Sequence, residues 1–171
     1  MANTYELIAA VTVPSAQATI DFTSIPSTFT DLVLKVSART SESNTYSGVS
    51  LSFNGATTNR SYRLVYGAGS GSGASESGTS LTNYGVNGST ATASSFGNLE
   101  WYIPNYANSG IYKSVSSDGV SETNATAALA NLAAGLWSSN AAITSISIAV
   151  NSGGATFQQY STAYLYGVKN A

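Results

Sequence analysis

Histidine and cysteine are missing from this chain altogether, and only 8% of its residues are charged. A typical globular protein carries about 25%. Without histidine there is no side chain whose ordinary pKa lies near neutrality. A Ser-His or Cys-His nucleophile pair is excluded, as are thiol chemistry and the usual zinc ligand sets. Only three prolines occur, and a net charge of −2 gives no electrostatic reason to hold nucleic acid or an anionic membrane. No apolar run approaches the roughly 18 residues of a membrane span. Neither is a secretory leader legible, because Glu6 stands where a basic start is needed and Pro14 ends the first apolar stretch.

What the chain does have is Ser, Thr, Gly, Asn, Ala and eleven tyrosines, with 43% hydrophobic residues. That much apolar content argues for a folded domain rather than disorder. A length of 171 suits one domain, residues 1–171, with no linker or internal repeat.

The dominant period is two. Leu32, Leu34, Val36 and Ala38 alternate with Lys35, Ser37 and Arg39, and Val49, Leu51 and Phe53 alternate with serines and Asn54. Leu99, Trp101 and Ile103 repeat the pattern, as do Ile146, Ile148 and Val150, and Tyr62, Leu64 and Tyr66. Such alternation predicts strands with one face in a core. Pro14-Ser15, Pro26-Ser27, Asn54-Gly55, Asp118-Gly119 and Gly153-Gly154 supply turn chemistry between them. The expectation is an all-β, antiparallel sandwich of eight to ten strands, a jelly roll being the natural choice at this length and an immunoglobulin-type sandwich the alternative.

Two segments fit less well. Residues 67–97 are dense in Gly, Ser, Thr and Asn and read as a long loop, with room for a short hairpin. In Asn124–Trp137, Leu129, Leu132, Ala133 and Leu136 recur at helical spacing. Gly135 and the surrounding strands favour a strand there, with helix as the other reading.

Candidate chemistry is sparse. Lys35, Lys113 or Lys169 beside one of many serines would make a Ser-Lys pair only by chance. No two carboxylates stand out as a glycosidase pair: Asp21 and Asp31 border strands, Glu76 lies in the Gly/Ser-rich stretch, and Glu100 faces outward. Asp118, Gly119 and Glu122 lack calcium-loop spacing. Gly69–Gly73 lacks the lysine of a phosphate loop. Arg60 and Arg63 read as solvated strand positions. The chain therefore reads as a non-enzyme with no cofactor or metal. Trp101 and Trp137 are core candidates. Tyr46, Tyr84, Tyr102 and Tyr106, near Asn and Ser, have the composition of a recognition surface, where tyrosine offers large contact area at low entropic cost.

Several stretches, in order, resemble one family. They are Thr4–Val13; Phe22-Thr23-Ser24-Ile25-Pro26 with Thr30-Asp31-Leu32-Val33-Leu34; Ser95-Phe96-Gly97-Asn98 leading to Trp101-Tyr102-Ile103-Pro104-Asn105-Tyr106; Ser121–Thr126 running to Gly135-Leu136-Trp137; and Tyr160–Lys169. Together they resemble the small virion structural proteins of tailed bacteriophages, of the capsid decoration (cement), head-fibre or tail-fibre type. The resemblance implies a β-sandwich without a catalytic motif, located on the capsid surface after assembly in the host cytoplasm. It implies as partners the major capsid protein or another virion protein, and a homo-oligomer, with a trimer suiting shell three-folds. With Met1 close to the first strand and no stem visible, capsid decoration is the expected role, and a receptor-binding fibre module the alternative.

Overall fold

The computed structural model describes residues 4–69, 71–124 and 128–169. Twelve strands form among them: β1 Tyr5–Thr12, β2 Thr19–Phe22, β3 Asp31–Ala38, β4 Tyr46–Phe53, β5 Arg60–Gly67, β6 Ala74–Gly78, β7 Leu81–Asn87, β8 Gly97–Ile103, β9 Lys113–Ser121, β10 Leu129–Trp137, β11 Ile146–Val150 and β12 Thr162–Val168. They make two antiparallel sheets, one of eight strands in the order β1-β12-β3-β8-β9-β10-β5-β6 and one of four in the order β2-β11-β4-β7. The molecule is an all-β sandwich, as the alternation predicts. Eight strands against four is a more unequal division than an eight-stranded jelly roll would give.

Register explains the core. Ile20, Ile148, Leu51 and Leu81 stand in one row across the small sheet. Leu165, Leu34 and Trp101 stand in one row across the large sheet. All of these are buried in a single cluster with Phe53, Phe157 and Trp137. Each large side chain so buried contributes about 1.5–3 kcal/mol, and both tryptophans are core residues as expected.

Three cations organise loops instead of facing water. The Arg39 guanidinium donates to the carbonyls of Ser89, Ala91, Thr92 and Ser95, which shapes the connection from β7 to β8. Arg60 donates to Leu51 O and Thr57 O across the turn between β4 and β5, and burial holds its pKa below the ordinary value. Arg60 is therefore not the solvated strand position expected; its neighbour Arg63 is exposed. Lys113 is fully buried, and its ammonium donates to the carbonyls of Asn108, Ile111 and Asn140.

The stretch 67–97 is more ordered than its composition suggests. It holds β6, which pairs with β5 at the edge of the large sheet, and β7, which pairs with β4. Neither shows alternation, for opposite reasons. The residues of β6 are almost all exposed, while β7 is buried nearly throughout. Beneath β7 the interior is polar: Asn83 donates to Ser117 Oγ, and Asn87 accepts from Ser121. Gly85 of β7 approaches Gly119 of β9 so closely that a Cβ on Gly85 would lie 2.7 Å from the Gly119 Cα. That is why Gly119 is glycine; Asp118-Gly119 lies inside β9 and is not the turn expected. Asn54-Gly55 is a turn, with positive φ at both residues and Ala56 N–H donating to Phe53 O.

Residues 129–137 are strand β10, inside the segment read as strand or helix; 125–127 lie outside the described residues. The helical spacing has a simple origin. Leu129, Ala133 and Trp137 point inward and Leu132 points outward, so both faces of β10 carry apolar residues.

Candidate interaction surface

The two outer faces differ in chemistry. On the small sheet, Asp21, Ser147 and Ser52 form one row and Thr19, Ala149, Ser50 and Thr82 another. These are short polar side chains, several bonded to one another, such as Thr19 to Asp21 at 2.7 Å. The outer face of the large sheet carries bulkier and more apolar groups. Its central row runs Tyr164, Lys35, Glu100, Asp118, Leu132, Val65, Ser75 from β12 to β6. A second row runs Tyr166, Val33, Tyr102, Ser116, Ala134, Arg63, Ser77.

This face has two halves. Over β1, β12, β3 and β8 it is aromatic. Tyr5 meets Tyr166 edge-on at 6.4 Å between ring centroids, and Leu7, Tyr102 and Tyr164 are exposed beside them. Val33 points outward yet is only 1% exposed, shielded among its tyrosine neighbours in the row. Lys35 and Glu100 form an ion pair at 2.9 Å, which raises the Lys35 pKa. The Tyr102 hydroxyl donates to Asp31 at 2.8 Å, and this bond raises its pKa; Asp31 also accepts from Asn105 N–H. Tyr102 is thus held in place while its ring stays open to a partner.

Over β9, β10 and β5 the face is aliphatic. Leu132 is 60% exposed and Val65 56%, side by side in register, with Val120, Ala130 and Ala134 around them. Shallow open grooves of about 650 and 610 Å³ lie on either side of this Leu132–Val65 ridge. Exposed leucines scattered singly need no explanation, whereas contiguous apolar surface marks an interaction site.

The four expected tyrosines are not brought together. Tyr106 is fully buried in the main core and its hydroxyl donates to Pro26 O, so it belongs to no surface. It follows the Pro104-Asn105 turn, where the alternation that marks inward positions has ended. Tyr46 and Tyr84 do meet, edge-on at 6.3 Å, but on the small sheet, away from Tyr102. The Tyr84 and Tyr62 hydroxyls both donate to Glu76 Oε1, tying β7 and β5 to the edge strand β6. Desolvation, reinforced by Glu76, pushes the Tyr62 pKa up to about 12 and raises that of Tyr84. These residues act as a clasp between the sheets.

Sequence reasoning missed Leu132, Val65, Val120, Tyr5, Leu7 and Tyr164. The available signal was β10 itself, whose apolar residues at odd and even positions alike mean apolar surface on both sides of the sheet. Among the described residues no three acidic groups lie close enough to hold a metal ion, and no helix is long and apolar enough to cross a membrane. The chain matches no family model and no curated protein sequence.

Proposed function

We propose that this protein is a structural component of a tailed-phage virion, a capsid decoration protein that attaches to the assembled head and acts without catalysis. The observation that carries the reading is the outer face of the large sheet, a broad surface of tyrosine and aliphatic side chains in whose two central rows Lys35 and Arg63 balance Glu100 and Asp118. Its tyrosines suit a protein surface: each offers a large rigid contact and a hydroxyl for hydrogen bonding. The ordered resemblance of the strand segments to virion proteins supports the same reading. A protein that binds only the assembled shell stabilises it by mass action, since its binding free energy is lost whenever the shell comes apart.

Immunogold labelling or cryo-electron microscopy of purified particles tests this. Density distributed over the head between capsomers is the expected result. Density confined to the tail would overturn the decoration reading in favour of a fibre module.

A further inference from the structure

We propose that the aliphatic half of the large sheet's outer face is a self-association surface, which joins two copies of this chain about a two-fold axis running along β10. Charge placement selects this occupant. In the direction across the strands, Leu132 of β10 lies midway between Asp118 of β9 and Val65 of β5, with Arg63 two residues from Val65 on the same face. A two-fold along β10 sets Leu132 against the other copy's Leu132. The same rotation carries Arg63 of each copy over β9 of the other, one residue pair along from Asp118 and within reach of the long arginine side chain. Two reciprocal Arg63–Asp118 pairs would then flank the facing Leu132 side chains, with each Asp118 lying over the other copy's Val65. An isologous interface requires such self-complementarity, and the two charges would otherwise have no opposite-charge neighbour in their rows on this side of β8.

The area suffices. The overlap spans β8, β9, β10, β5 and β6, five strands roughly 24 Å wide and about 24 Å long. That is on the order of 600 Å² per copy and 1,200 Å² in all, within the range of specific interfaces. Face-to-face sheets at about 10 Å would set Val120 and Ser116 of β9 over the grooves beside β5 of the opposing copy. The aromatic half stays uncovered over β1, β12 and β3, with Tyr102 of β8 at the rim of the contact, so the dimer presents two tyrosine patches to a further partner. None of this depends on the virion role, and a monomer found on particles or a dimer absent from them would separate the two proposals.

Sedimentation of the full chain across a concentration series is the test. A monomer–dimer equilibrium is expected, with dimer prevailing by about 100 μM. Leu132→Asp should give a monomer with unchanged far-ultraviolet circular dichroism. Arg63→Asp and Asp118→Arg should each weaken the dimer by about tenfold, and the double variant should recover most of the loss. Because the chain has no cysteine, Leu132→Cys should be cross-linked into a dimer by a bis-maleimide of about 10 Å span, a gap between facing sheets too wide for a direct disulfide, while Ser52→Cys on the opposite face should not. A monomer at every concentration, a dimer or trimer indifferent to Leu132→Asp, or no recovery in the charge-reversed double variant would overturn the proposal.

Discussion

Lys113 illustrates how the chain uses its few charges. Its side chain is fully buried, and its ammonium donates to three carbonyls from two loops. Desolvation lowers its pKa, so the charge is costly where it lies, and it persists because the carbonyls around it would otherwise be unpaired. Lys113→Ala should therefore destabilise the protein by about 2–4 kcal/mol, through lost charged hydrogen bonds and a cavity. The urea midpoint measures this; a shift under about 0.5 kcal/mol would mean that water readily replaces the ammonium. In the sequence, Lys113 looked like any other lysine near a serine. Nothing local tells that three carbonyls from distant segments converge on it.

At the level of elements, β7 is the strand that ties the two sheets together. It is hydrogen-bonded to β4, lies against β9 and β10, and comes within close packing distance of β9 where Gly85 faces Gly119. Gly119→Ala would place a methyl 2.3 Å from Asn83 Oδ1 and 2.8 Å from the Gly85 Cα. Backbone cannot yield as a flexible side chain can, so a loss of about 1–3 kcal/mol is expected. Gly153→Ala, with nothing within 4 Å, is the control and should be nearly neutral. Equal midpoints for the two variants would refute the close-packing account. Strands with one wet face, such as β3 and β8, were plain in the alternation. Both β6 and β7 were hidden, because a strand exposed or buried on both faces has no period-two pattern to show.

For the molecule as a whole, the missing histidine and four tyrosines of raised pKa together predict the pH profile. With no side chain of ordinary pKa near neutrality, stability should be nearly constant from pH 6 to 8. Tyr62, Tyr84, Tyr102 and Tyr106 all have raised pKa values in the fold. A raised pKa means that the folded state holds the proton more tightly than the unfolded chain. The stabilisation is complete below about pH 10 and is lost as pH climbs from there through the folded values, about 12 for Tyr62. Lys113 works the other way: its lowered pKa gives a gain in stability as pH rises toward 10.5. Four tyrosines outweigh it, so urea midpoints should stay level from pH 6 to 8 and fall above pH 10. A steep change between pH 6 and 8, or none above 10, would contradict this account.

The sequence by itself determined the all-β class, the inward set of the alternating strands, the burial of both tryptophans and the poverty of reactive groups. These follow from local alternation and from residue counts, which need no knowledge of who neighbours whom. The tertiary structure alone decided which outward faces lie together. Tyr106 entered the core, Tyr46 and Tyr84 went to one sheet and Tyr102 to the other. Residues as far apart in the chain as Val65, Val120 and Leu132 became one aliphatic surface. Strand order makes those assignments, and strand order arises from long-range pairing that no local pattern encodes.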